Sequence, residues 1–158
     1  MIASNFIFGP EAETEFLQAI DSDITDVILF DDTCTPLETI YGTGTFTLAE
    51  QIANSPKDGN TSMFRCGIDA LNKMAEYKTK CETTHKCSFV FMTDGDDNDP
   101  CIQSTEFNET RTSLGLDFIT VYGVPLGNAN EDKMKEINNI DMCYGLLIDC
   151  FKKIKGSN

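Results

Sequence analysis

The sequence predicts an α/β fold: a three-layer α/β/α, Rossmann-like domain with a mostly parallel central sheet, helices on both faces and one antiparallel edge strand. Three observations predict it. Short, almost continuously apolar runs (ITDVILF from Ile24, CSFVFM from Cys87, and Leu116 to Tyr122) read as strands covered on both sides. Segments of helical periodicity separate them. Parallel neighbours need crossover connections, which the intervening helices supply. At 158 residues the chain suits a single domain over 1–158, with neither an internal repeat nor a long linker to divide it.

In chain order, Pro10 to Asp21 predicts a helix. Proline suits its first turn, Glu11, Glu13 and Glu15 complement the dipole, and Ala12, Phe16, Leu17 and Ile20 share a face. Ile24 to Phe30 is the first strong strand. A weaker, glycine-broken strand within Leu37 to Phe46 has the character of an edge. Thr47 and Glu50 form a capping box for a short helix to Asn54, and 55–60 is a loop. A long helix follows from Ser62 to Lys78, its stripe of Met63, Cys66, Ala70, Leu71 and Met74 belonging to the core. Cys87 to Met92 is a strand and Ser104 to Ser113 encloses a helix. Leu116 to Tyr122 is a strand, Asn130 to Ile137 a helix, Met142 to Ile148 a strand and Cys150 to Lys155 a closing helix.

Twelve Lys plus Arg against 26 Asp plus Glu leave a net charge of −14. Such a surface repels phosphate backbones, so nucleic acid is not an expected partner, and another protein is. No run approaches the ~20 apolar residues of a membrane helix. Seven cysteines are an odd number, and MIASNFIFGPEAE carries no secretory pattern, so reduced, mostly buried thiols in a cytoplasmic protein are expected. The segment CETTHKC, with Cys81, His85 and Cys87, has none of the spacings of a zinc site. The sequons at Asn60 and Asn108 are short enough to arise by chance.

In sheets of this kind ligands bind beyond the carboxyl ends of the strands. Asp31 to Thr35 follow one strand, Thr93 to Asp99 follow another, and Gly59 to Ser62 precede the long helix. A carboxylate and a hydroxyl converging there could hold Mg²⁺, a hard ion that keeps several waters. The blander reading makes Asp96, Asp97 and Asp99 a solvated turn and Thr61 or Ser62 a helix cap. The run is no calcium hand, because Asp99 and Thr105 stand where that loop needs glycine and glutamate.

The strand FVFMTDG, the upstream GNTSMFRCGIDAL and the later LDFITVYGVPLGNANEDKMKEI together resemble a von Willebrand factor type A domain from about Pro10 onward. DVILFDDTCTPL resembles that family's second strand. The resemblance implies a metal ion-dependent adhesion site in which Thr61 and Asp94 are ligands, and a non-enzymatic role in binding proteins. One departure matters. The family's first strand ends in D-x-S-x-S, and no register supplies it: NFIF at Asn5 would place Gly9, Glu11 and Glu13 there, and Asp31-x-Thr33-x-Thr35 lies too close to Thr61. Relative to the family the domain is thus expected to be N-terminally incomplete, and its adhesion site degenerate. Mg²⁺ binding is expected to be weak or absent, since affinity follows the number of charged ligands. The missing central strand leaves sheet edges to be filled by the N-terminal segment, by a second chain in a homo- or hetero-oligomer, or by residues encoded upstream of Met1.

Two alternatives compete. A Mg²⁺-dependent phosphatase or phosphotransferase resembling the haloacid dehalogenase class would use Asp31 as nucleophile, Thr61 and Lys80 on phosphate, and Asp94 with Asp99 on the metal. Thr33 replaces the second aspartate that class requires. The other alternative is a structural subunit of a larger complex.

Overall fold

A computed structural model describes residues 24–26, 28–31, 33–36, 40–41, 61–83, 87–93, 97–126, 129, 131–146, 149–150 and 152–153. The expected helices at 10–21 and 47–54 lie outside them. The described strands are β1 (Ile24–Thr25), β2 (Ile28–Phe30), β3 (Cys34–Pro36), β4 (Ile40–Tyr41), β5 (Ser88–Thr93), β6 (Thr120–Pro125) and β7 (Ile140–Met142). The helices are α1 (Met63–Ala75), α2 (Lys78–Thr83), α3 (Ser104–Ser113) and α4 (Asp132–Lys135). Residues 149–150 and 152–153 are also helical. Among the described residues no helix is long and apolar enough to cross a membrane.

The sheet expected from alternating strands and helices is present as three parallel strands in the order β5-β6-β7, with Phe89 opposite Val121 and Val121 opposite Ile140. Four consecutive residues of β6, Val121 to Val124, are buried. Because successive side chains point to opposite faces, this middle strand is covered on both. One face carries α1 and α3. There Phe89, Phe91 and Phe107 form an aromatic knot with ring centroids 4.7 to 5.7 Å apart, and Phe64 joins Phe107 at 6.4 Å. Gly67 permits the approach of α1: a methyl group there would sit 2.7 Å from the Phe91 ring.

The run ITDVILF is not one strand. It divides into β1, antiparallel to β4, and β2, antiparallel to β3. Two side-chain interactions accompany this arrangement. The Asp26 carboxylate, in the middle of the run, pairs with Lys73 of α1 at 2.6 Å. Asp31 Oδ1 accepts both the amide and the hydroxyl of Thr33 at 2.8 Å, an Asx turn that folds the chain straight back as a hairpin. Antiparallel pairing is therefore found in two small sheets, separate from the parallel one.

The long helix ends at Ala75 and a further turn of chain leads into α2, so the expected span to Lys78 is interrupted. The expected α3 coincides with the observed one, with a capping box between Gln103 and Glu106. β6 begins four residues later than Leu116, because Leu116 and Ile119 are buried in a turn rather than a strand. That turn wraps Arg111 of α3, whose guanidinium donates to the carbonyls of Leu116, Asp117, Ile119 and Asn138 at 2.7 to 3.2 Å. The last strand among the described residues is Ile140–Met142; of the expected Met142 to Ile148, residues 143–146 are not strand and 147–148 lie outside the described residues.

The expectation of reduced thiols is corrected. Cys34 of β3 is bonded to Cys66 of α1, with Cα atoms 5.3 Å apart, and Cys87 is disulfide-bonded as well. Cys101, Cys143 and Cys150 are free. Sequence spacing carries no information on such pairing, which depends on the hairpin lying against α1. A bridge across 32 residues contributes about 3–4 kcal/mol by restricting the unfolded chain.

Candidate functional site

The three segments singled out from the sequence do meet. The Ser62 amide donates to the Asp31 carbonyl at 2.7 Å, and the Asn98 amide donates to the Thr61 carbonyl at 2.8 Å. The turn after β2, the start of α1 and the loop after β5 thus share one corner beyond the strand ends. The Cys34–Cys66 bridge holds the hairpin to the helix beside it. Thr93 ends β5 fully buried, and its carbonyl accepts the Leu126 amide at 2.8 Å, joining the ends of β5 and β6.

Thr61 is buried at this corner, with 7% of its surface exposed. Asp94, the other expected metal ligand, lies outside the described residues, as do Gly59, Asn60, Asp96 and His85 and the side chain of Lys80. Asp31 is half-buried and forms the Asx turn with Thr33.

Asp97 and Asp99, the described acids of the loop after β5, are engaged within the protein rather than solvated. Asp97 Oδ2 accepts the Phe64 amide at 3.2 Å and its Oδ1 accepts the Asp99 amide at 2.9 Å. It caps α1 from another part of the chain, while Ser62, at the cap position, makes no side-chain cap bond. Asp99 is 9% exposed. Its Oδ1 accepts the Cys101 amide at 2.9 Å, and its Oδ2 meets Arg65 Nε at 2.7 Å and Nη2 at 2.6 Å. Burial pushes the Asp97 carboxyl up, against the opposing amides of Asp99 and Phe64. The Cys101 amide and then Arg65 hold the Asp99 carboxyl down.

These partnerships decide what the corner can do. A carboxylate already engaged by two amides, or by an amide and a guanidinium, has little left for a cation. Thr61 adds one neutral hydroxyl, and among the described residues no group of three or more His, Cys, Asp or Glu is placed to hold a metal. These residues alone do not fit a Mg²⁺ ion. The Arg65 pairing of Asp99 also argues against its metal role in the phosphotransferase alternative. Cys87, being in a disulfide, cannot serve as a thiolate ligand in CETTHKC.

Sequence reasoning located the corner but missed Asp97 as the helix cap and Arg65 as the partner of Asp99. The signal for the first was the lack of any carboxylate in the first turn of α1. Arg65 carried none, since its partner lies 34 residues away. Compared with known proteins, the chain matches no family model and no curated sequence.

Proposed function

We propose that this chain is a non-enzymatic protein-interaction module, a three-layer domain of the von Willebrand factor A type, with its recognition surface at the strand-end corner and no tightly held divalent ion. The observation that carries this reading is the engagement of Asp97 and Asp99 within the protein, which withholds both carboxylates from a cation beside Thr61. Burial of Val121 to Val124 on both faces of β6 supports the three layers. With a net charge of −14, the partner is a protein presenting a basic or apolar epitope. Disulfides persist in oxidising compartments, so Cys34–Cys66 favours a location outside the reducing cytoplasm over the cytoplasmic one expected from composition.

Calorimetric titration with Mg²⁺ and Mn²⁺ tests the site. No sub-millimolar binding is expected; such binding, abolished in Asp94→Ala, overturns the reading in favour of a working adhesion site. A phosphatase assay with Mg²⁺ tests the enzyme class. No turnover is expected, and turnover lost in Asp31→Asn would replace the module by a phosphotransferase.

A further inference from the structure

The bridge between Cys34 and Cys66 stands at the strand-end corner, and its two ends are seated differently. Cys66 is 2% exposed on α1, a helix whose Met63, Phe64 and Leu71 are buried in the core. A free thiol there is a small apolar side chain, so α1 keeps its packing without the bridge. Cys34 is half-buried, and its neighbours Thr33, Thr35 and Pro36 are exposed. The two arms of the hairpin differ in the same way. In β2, Leu29 is buried and Phe30 packs against the core. β3 pairs with β2 over three residues in a sheet of its own, and Pro36, having no N–H, cannot donate across it. A two-stranded hairpin of that length is marginal in water without further support, and the link from Cys34 to α1 supplies support. The same turn carries the Asp31 carbonyl that accepts the Ser62 amide. One covalent tie and one hydrogen bond thus join residues 31–34 to residues 62–66.

We propose that Cys34–Cys66 is a reducible latch on this corner: a dithiol reductant opens it, and the turn and outer arm then leave α1 while the parallel sheet stays folded. Cys34, the less buried partner, is the end the reductant reaches. A thiolate of the dithiol attacks Cys34 Sγ, the bond to Cys66 Sγ breaks, and Cys66 leaves as a thiolate that takes up a proton. The second thiol of the reductant gives up its proton, attacks the reductant sulfur joined to Cys34 and expels the Cys34 thiolate, which is protonated in turn. Two cysteine thiols form and the dithiol becomes a disulfide, two electrons and two protons having passed to the protein. Control of binding by this latch rests on the corner being the recognition surface, as proposed above. The opening itself does not, so a latch that fails to open leaves that reading untouched.

The test treats the full, oxidised chain with dithiothreitol in the absence of denaturant. One portion is quenched in denaturant with iodoacetamide, so that peptide masses report whether Cys34 and Cys66 have become thiols. The other is followed by amide hydrogen exchange, read residue by residue by NMR. Both cysteines should be reduced. The amides of Ser62 and of Asp31, which donates to the Thr33 carbonyl at 3.1 Å, should then exchange about tenfold faster or more, while Val121 to Val124 of β6 keep their protection. A bridge that yields only in urea overturns the proposal. So does a reduced chain in which Ser62 and Asp31 stay protected, or one in which β6 loses protection equally, which would make the bridge a support of the whole domain. Because Cys87 is also disulfide-bonded, the double variant Cys34→Ala, Cys66→Ala isolates the latch. It should show the faster exchange with no reductant present, and retained protection in the folded variant overturns the proposal. Should that variant not fold, the reduced unmutated chain decides alone.

Discussion

Two corners of the parallel sheet take charge into the protein by opposite means. At the edge where β6 and β7 begin, Arg111 brings one cation into a turn, and four carbonyls close around it. At the opposite edge, where β5 ends, Asp97 and Asp99 bring carboxylates toward amides and one guanidinium. In both, backbone groups that a loop would leave unpaired are satisfied by a side-chain charge. The difference lies in exposure and position. Arg111 is enclosed and tied to both strand entries, which suits a purely structural task. The carboxylates stand where α/β sheets bind ligands, and Arg65 beside them is half in solvent.

The largest expected effect comes from breaking the enclosed corner. Arg111→Met removes four charge-assisted hydrogen bonds and leaves buried carbonyls behind, so a loss of about 3–5 kcal/mol is expected by urea unfolding. A loss near zero would show that the turn rearranges and that the two corners are not comparable. Asp97→Ala removes the cap of α1 and a bond within its own loop, and a smaller loss of about 1–2 kcal/mol is expected. Asp97→Asn, which keeps an acceptor oxygen, should recover part of it.

The smallest effect concerns pH and separates the two acids. The Asp99 carboxyl is held down in the folded state, so its stabilisation is present above the ordinary carboxylate pKa. It is lost as pH falls through that value toward the depressed one. Asp97 has the reverse sign: its carboxyl is pushed up, so its ionisation weakens the fold as pH rises from the ordinary value through the raised one. Urea midpoints across the acid range should therefore fall less steeply with acidification in Asp99→Asn than in the unmutated chain, and more steeply in Asp97→Asn. High salt should shrink the Asp99 contribution, since Arg65 is half-exposed.

The parallel sheet and α3 were legible because their signals are local. The apolar runs from Cys87 to Met92 and from Leu116 to Tyr122 mark the two strands, and Ser104 to Ser113 bounds the helix that the structure caps with Gln103 and Glu106. The split of ITDVILF was not legible, because apolar composition alone cannot distinguish a central strand from two short hairpin arms. Nor was the late start of β6, since Leu116 and Ile119 are as apolar in a turn around Arg111 as they would be in a strand.

By itself the amino-acid order determined the α/β class, the parallel strands β5 and β6, and the gathering of Asp31, Thr61 and the acidic loop past the strand ends. Periodicity and strand direction are properties of neighbouring residues, and they suffice for that much. Only the tertiary structure decided that Cys34 meets Cys66, that Arg65 neutralises Asp99 and that Asp97 caps α1. Each of these joins residues more than 30 positions apart, and which distant groups touch depends on how the elements pack, which no short stretch of sequence encodes.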